Sequence, residues 1–528
     1  MKNMSRIITA IMVLTIIHQT LGQYPQVQWQ TNLGGSGDDR GWRVLHTTSG
    51  ELLVASIVTS NDLDVPSHDY NRAFFLASLT MDGNINWGEV IGYVTSGNRA
   101  VDVIEVEGLN SYWTGTSVDS SADLACLATG PSHIWLSRVD ETGGALEEKC
   151  LGGSQSDFLF RMFKDHDQSF FLIGSTSSSD GDITTNYGGS DLLLVKLSPN
   201  GEVIFNKCYG GSGADGGRYI YRTSDNHILI SGTTRSDDGL LEGINVFSTS
   251  YSTAWLLKLD DDGEVVWQNC YGGEDQDIIT AVGEYSNGDI WTVGYSRSNS
   301  GLVDCNAYNT DVCWVMRLDP TGNVLHRACF GGSMGSLAED ALLLPNDRLL
   351  LIGVTASNDG DVSYNHGATD AWLIQLDTDL SLMWEKTYGG STYDRANSAL
   401  LTSDGGLVFV GASSSNDGDL TGNHGMSDVW VVKLAPWDNG VSVQDVESKP
   451  GIQLFPNPAN DLIYVQLAEP SGTGSLKIFD LLGALVHEQR VPQGQRRSEV
   501  PISSLARSAY VLQLQQDDRI NSVQFIKY

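Results

Sequence analysis

A Gly-Gly pair returns along this chain at nearly constant spacing, and that period limits the fold more than any other feature. The pairs begin at Gly34, Gly152, Gly210, Gly272, Gly331 and Gly389. By subtraction the steps after Gly152 are 58, 62, 59 and 58 residues, and the step from Gly34 to Gly152 is 118, two periods. A degenerate copy with Ile91-Gly92 fills the double step. Between pairs lie four short runs, alternating or rich in β-branched and aromatic residues, bounded by Gly, Asn, Asp and Ser. That is the pattern of strands and turns, not of helices. The third run recurs seven times, from Ala73-Phe-Phe-Leu through Asp191-Leu-Leu-Leu and Asp370-Ala-Trp-Leu to Asp428-Val-Trp-Val. The fourth run also recurs seven times, but its first copy, Gln26–Asn32, precedes the first Gly-Gly pair and the last unit lacks one. The first run of the chain can therefore complete the last unit and close a ring, which leaves no end unit with an open edge. Units of four strands at this period predict an all-β chain built as a seven-bladed β-propeller over 23–436.

The flanks are different. Residues 1–22 carry Lys2 and Arg6, an apolar run from Ile7 to Ile17, and small residues at Thr20 and Gly22, the layout of a cleaved signal peptide. That run is too short to cross a bilayer, which takes roughly 20 apolar residues. No later run matches it, so no transmembrane segment is expected. Formal charge is −34, or −36 once Lys2 and Arg6 are removed with the leader. Residues 451–528 hold seven acidic and seven basic residues, so the acidic excess belongs to the repeats. Such a surface argues against nucleic acid as a partner, because phosphates demand a basic one.

Four cysteines, Cys150, Cys208, Cys270 and Cys329, stand two residues before a Gly-Gly pair in separate units. Equivalent places on separate sheets suit small strand packers rather than a disulfide framework. Cys305 and Cys313 bracket one loop and are the candidate disulfide, given export to an oxidising compartment. Cys126 takes the place of Cys305 in its own unit and has no evident partner.

After Leu434 the repeat stops. Residues 437–450 read as a linker, and 451–528 as six short alternating runs, which fit a small immunoglobulin-like β-sandwich. Leu454-Phe-Pro-Asn-Pro-Ala-Asn-Asp461, Lys477-Ile-Phe-Asp-Leu-Leu-Gly483, Ala509-Tyr-Val-Leu-Gln-Leu514 and Phe525-Ile-Lys-Tyr528 follow in order to the chain's end. These motifs resemble the C-terminal sorting domain of the Bacteroidota type IX secretion system, with Phe455 where Tyr is usual. The repeats are similar to those that precede such domains in many secreted proteins. The resemblance implies export through the periplasm to the cell surface or medium, with residues 451–528 as the part that engages the type IX machinery.

Candidate chemistry lies in the loop before the third run. Three copies are alike: Asp180, Asp182, Asn186 and Asp191; Asp359, Asp361, Asn365 and Asp370; Asp417, Asp419, Asn423 and Asp428. Carboxylates and amides at these offsets could supply hard oxygen ligands to Ca²⁺, the one cofactor the sequence suggests. The same residues also cap turns by accepting backbone N–H bonds, and no Glu closes the loop as in an EF-hand. A second periodic aspartate (Asp39, Asp157, Asp215, Asp277, Asp394, replaced by Ser336) reads as a turn fixer. The series Trp135, Trp255, Trp314, Trp372 and Trp430 reads as core, with sugar-stacking platforms as the alternative. Loops 61–72, 118–133 and 236–252, the last with Phe247 and Tyr251, depart from the pattern and could line a binding mouth. No nucleophile, zinc or phosphate-binding motif is present. The sequence points to a secreted or surface binding protein or scaffold with a glycan or protein ligand. The alternative is a secreted polysaccharide-active enzyme, a glycoside hydrolase or lyase, using paired carboxylates.

Overall fold

The structure is a computed structural model. It describes residues 24–94, 101–106, 110–119 and 130–437, and in the C-terminal region 452–455, 462–467, 474–479, 485–493, 496–505, 508–516 and 519–527. The expected leader, Cys126, nearly all of the expected linker and the residues 480–483 and 456–461 of the sorting-domain motifs lie outside them. The chain forms two compact units, 1–440 and 441–528.

Seven four-stranded antiparallel sheets make up the first unit among the described residues. Sheet one runs from Arg40–His46 to Ile85–Tyr93, sheet two from Val101–Val106 to Ala145–Leu151, and sheet three from Asp157–Lys164 to Val203–Tyr209. Sheets four, five and six start at Gly216–Arg222, Asp277–Glu284 and Ser336–Leu343. Sheet seven holds Asp394–Leu401, Leu407–Ser413 and Asp428–Leu434, and its fourth strand is Val27–Leu33, paired antiparallel with Asp428–Leu434. The first strand of each sheet touches the first strand of the next, and that of sheet seven touches that of sheet one. The described helical residues are two single turns, Gly239–Leu241 and Pro345–Asp347.

The burial pattern explains the sequence pattern. Second and third strands are covered on both faces by neighbouring sheets; Leu52–Val58 and Ala73–Leu79 are buried throughout. Strands buried on both faces read as continuous apolar runs, and each large apolar side chain taken from water is worth about 1.5–3 kcal/mol. Fourth strands such as Val203–Tyr209 are partly exposed and carry polar residues. Trp135, Trp255, Trp314, Trp372 and Trp430 are at most 1% exposed, so they are core and present no stacking face.

The cysteines correct two expectations. Cys305 is bonded to Cys329, Cα atoms 5.6 Å apart, and Cys313 is a free, buried thiol. Strand alternation is the reason. Cys329 pairs across the ladder with Trp314, and Cys313 with Phe330, so Cys313 and Cys329 face opposite sides of sheet five. The loop carrying Cys305 reaches the Cys329 side. Cys150 is also disulfide-bonded, so two of the four supposed strand packers are cross-linked. Cys208 and Cys270 are free, and burial pushes both thiols up to about 12.

The second unit has a three-stranded sheet (Ile452–Phe455, Leu462–Leu467, Arg497–Pro501) and a four-stranded one (Gly474–Phe479, Leu485–Val491, Ser508–Gln516, Arg519–Lys527). Ile463, Val465 and Val500 of the first share one apolar cluster with Leu476, Ile478, Leu512 and Leu514 of the second.

Candidate functional site

The face of the ring that carries the Gly-Gly turns is held by two sets of carboxylates. In unit three, Asp182 accepts a bond from the Gly152 N–H (3.2 Å) and its own N–H donates to the Gly152 carbonyl (3.0 Å), while Asp180 accepts from the Ser154 N–H (2.7 Å). Asp361 and Asp359 treat Gly331 and Ser333 the same way, and Asp419 and Asp417 treat Gly389 and Ser391. Asn186, Asn365 and Asn423 each donate to a strand carbonyl and accept an N–H two residues on. These backbone N–H bonds draw the Asp180, Asp359 and Asp417 carboxyls below their ordinary range. Among the described residues, no three His, Cys, Asp or Glu side chains gather as a metal would require. Asp62 and Asp238, in loops 61–72 and 236–252, make the same bond to Ser36 and Ser212. They lie outside the Asp-Gly-Asp pattern, and their signal is the constant offset of 26 residues between donor and acceptor.

The periodic aspartates fix the turns from inside. Asp394, fully buried, accepts from the Gly390 N–H (2.7 Å) and from the hydroxyls of Ser413 and Ser415. Asp39, Asp157, Asp215 and Asp277 do likewise. A second carboxylate lies across the first glycine of the pair in three places. A Cβ on Gly210 would stand 2.3 Å from Asp191 Oδ1 and 2.5 Å from Asp215 Oδ2, so only glycine fits between them. Asp370 and Asp394 flank Gly389, and Asp428 and Asp39 flank Gly34. Asp191, Asp370 and Asp428 are fully buried, and each has an Oδ1 without a hydrogen-bond partner. Burial raises all three carboxyls, Asp191 to about 6 with Asp215 adding repulsion. His133 faces Asp157 in the same way across Gly152, and where the aspartate gives way to Ser336 its neighbour is the apolar Val312.

These groups repeat from sheet to sheet and so build the scaffold. The unit-to-unit symmetry breaks on the ring axis. In six first strands a β-bulge inserts one residue: Trp42, Phe160, Arg218, Thr280, Glu339 and Asn397. A bulge re-aims the side chains beside it. After the bulges come Arg43, Arg161, Tyr219, Ala281, Asp340 and Ser398; the first strand of sheet two has no bulge and offers Asp102, paired with Gly115. Five of them meet from five different sheets. Arg43 lies 3.8 Å from Asp102 and 3.7 Å from Asp340, and the Arg161 guanidinium sits 4.1 Å over the Tyr219 ring. Asp102 also accepts the Met162 N–H (2.8 Å) and Asp340 the Ala341 N–H (3.0 Å). Burial pulls the Arg43 guanidinium below its ordinary value, and Arg161 beside it adds to this. Burial also opposes the Arg161 charge, yet Tyr219, Asp340 and Asp102 hold it above its ordinary value.

Above this plug the Gly-Gly face has a mouth of arginines and aromatic rings. Arg395 pairs with Glu339, donates to the Tyr393 hydroxyl (3.1 Å) and lies 5.8 Å over the Trp42 ring. Arg40 pairs with Asp38 (2.9 Å) and lies 5.8 Å over Tyr393. Phe158 and Phe160 are each 36% exposed, and Arg218 lies 5.7 Å over Phe160. None of these residues stood out in the sequence. Their signal was the positions flanking the periodic aspartate and the bulge three residues after it, which change chemistry from unit to unit while the aspartate itself is kept in five units.

Comparison with known proteins adds the following. The regulatory protein FlaEY of Caulobacter vibrioides is 22% identical to this chain over 222 residues, covering 40% of this chain and 23% of that protein. The chain thus spans about a quarter of the length of that curated relative. Similar solved structures include the Pan2 WD40 domain of Neurospora crassa (10% identity, TM-score 0.41, 77% of this chain and 95% of that one). BBS1N in its complex with ARL6DN is another (10% identity, TM-score 0.40, 78% and 97%). No helix among the described residues is long and apolar enough to cross a membrane. Residues 453–527 match the secretion system C-terminal sorting domain, and the chain therefore carries the domain that marks a protein for type IX export to the cell surface or medium.

Proposed function

We propose that this protein is a secreted or surface-attached binding protein whose ligand, a glycan, meets the arginine- and aromatic-lined mouth of the ring. The observation that carries the reading is the broken symmetry: the scaffold repeats closely similar bonds in unit after unit, and the bulges at the axis present a different side chain from sheet to sheet. Exposed aromatic faces beside guanidinium groups suit sugar rings and their polar substituents. The rival reading, a polysaccharide-active enzyme, asks for two carboxylates poised on either side of a scissile bond. Glu339 and Asp38 at the mouth are committed to Arg395 and Arg40, and Asp102 and Asp340 to Arg43 and backbone N–H groups. The export half of the reading is tested by a chain ending at residue 450. It is expected to fold and accumulate in the periplasm; normal amounts in the medium or on the surface would contradict it.

The acidic loops fit a role as latches that tie each Gly-Gly turn to the next loop, in place of Ca²⁺ ligation. Their oxygens point to separate backbone donors. The melting temperature is therefore expected to be the same in EGTA and in excess Ca²⁺. A site binding only the folded state would raise it, and a Ca²⁺-dependent rise lost in Asp361→Ala and Asp419→Ala would make these residues ligands.

A further inference from the structure

A groove of about 320 Å³ opens at the mouth between sheets three and four, lined by Phe160, Ser175, Arg218, Thr233, Arg235 and Ser252 among others. It exists because the repeat loses a side chain there. The residue after the periodic aspartate is Arg40, Phe158, Ile278 and Arg395 in sheets one, three, five and seven, and Leu337 follows Ser336 in sheet six; in sheet four it is Gly216, followed by Gly217. A Cβ on Gly216 would come 3.4 Å from Ser175, so the missing side chain is what leaves the space beside that hydroxyl open.

The charges in this groove differ from those around most arginines of the protein. The chain has 65 acidic and 31 basic residues, and arginines such as Arg40, Arg222, Arg297, Arg317, Arg327 and Arg395 each hold a carboxylate. Arg218 has a ring contact with Phe160 and no ion pair among the described residues. Arg235 donates from Nε to the Ser252 hydroxyl at 3.4 Å and also has no ion pair there. Asp215, the one carboxylate in the lining, is 3% exposed and spends its oxygens on the Gly211 N–H, the Arg235 N–H and the Ser236 hydroxyl. With two acidic residues for every basic one, two guanidinium groups left without carboxylates at one opening mark a place for an anion from outside. By contrast, the larger groove of about 530 Å³ near the fourth strands of these sheets has its lysine and glutamate, Lys207 and Glu264, bonded to each other.

We infer that this groove is a subsite for an acidic sugar, with its carboxylate or sulfate held by Arg218 and Arg235, its hydroxyls facing the serine and threonine lining, and its ring against Phe160. Guanidinium groups bind such oxyanions through paired N–H bonds, and the phenyl face takes the apolar side of a pyranose. The inference rests on the mouth being the binding surface and names the ligand's chemistry.

The test is calorimetry of the full mature protein with oligogalacturonate, a sulfated oligosaccharide, the uncharged oligogalactose of equal length and a polyglutamate peptide. Acidic sugars are expected to bind, more weakly as salt rises. Arg218→Gln and Arg235→Gln should each weaken them about 10- to 100-fold, the loss expected for a hydrogen-bonded charge. Melting temperatures should change little, since neither guanidinium has an ion pair among the described residues and each makes one weak contact, with Ser252 or Phe160; Gly216→Phe, which fills the groove, should abolish binding. Preference for the carboxylated or the sulfated probe identifies the anion. Equal affinity for oligogalactose, or acidic binding unmoved by both arginine changes, overturns the subsite even if the mouth binds glycans. Polyglutamate binding as tightly as the sugars overturns the assignment to a glycan.

Discussion

Asp39→Ala is expected to destabilise the ring by about 3–5 kcal/mol, because several buried donors lose their acceptor together at roughly 1–3 kcal/mol each. Asp39 is fully buried and accepts from the Gly35, Thr59 and Ser60 N–H groups and the Ser60 hydroxyl. Its own N–H donates to the Ser427 carbonyl (2.8 Å), so it stands where sheet seven meets sheet one and the ring closes. Urea unfolding followed by near-ultraviolet circular dichroism measures the loss. A change under 1 kcal/mol would mean that water reaches and satisfies the freed donors. Sheet six manages without the aspartate because Ser336 bonds to the Thr355 hydroxyl (2.8 Å) and Val312 replaces the second polar group.

The second large effect has the opposite sign. Burial raises Asp191 to about 6, with Asp215 across Gly210 as the repelling neighbour and the Tyr187 N–H as partial relief. The folded protein therefore holds this proton more tightly than the unfolded chain, whose aspartates titrate near 3.9. Its contribution to stability is complete below about pH 4 and is lost as pH rises through about 6. Asp191→Asn keeps the shape and removes the charge. It should stabilise the protein by ~2 kcal/mol at pH 8 and change little at pH 4. Asp370→Asn and Asp428→Asn should act in the same direction, less strongly, because His366 and His424 bond to those carboxylates. Urea midpoints of wild type and variants across this range decide it. Destabilisation of Asp191→Asn at pH 8 would show that the ionised carboxylate has a favourable partner beside Gly210.

Much of this architecture was legible in the sequence because the constraints are local and repeated. Each Gly-Gly pair marks a turn, each continuous apolar run a strand covered on both faces, and the displaced fourth run Gln26–Asn32 foretold the pairing of Val27–Leu33 with Asp428–Leu434. The sorting domain announced itself through ordered motifs. The axis was not legible, since alternation along a strand assigns faces only until a bulge shifts them. Trp42, Phe160, Arg218 and Glu339 sit at such shifts, and Arg43 meets Asp340 only once the ring has brought sheets one and six together. The Cys305–Cys329 bond escaped for a related reason. Eight residues separate Cys305 from Cys313 and 24 separate it from Cys329, but the ladder turns the nearer thiol to the far side of the sheet.

The measurement that bears most directly on the whole account is a polysaccharide panel run two ways on the mature protein, for retention and for turnover. The account predicts retention of a subset of glycans, no new reducing ends or unsaturated products, and loss of retention in the Phe158→Ala, Phe160→Ala double variant, whose exposed rings contribute little to the core. Product formation abolished by a single substitution such as Glu339→Gln would contradict it and make this mouth an active site.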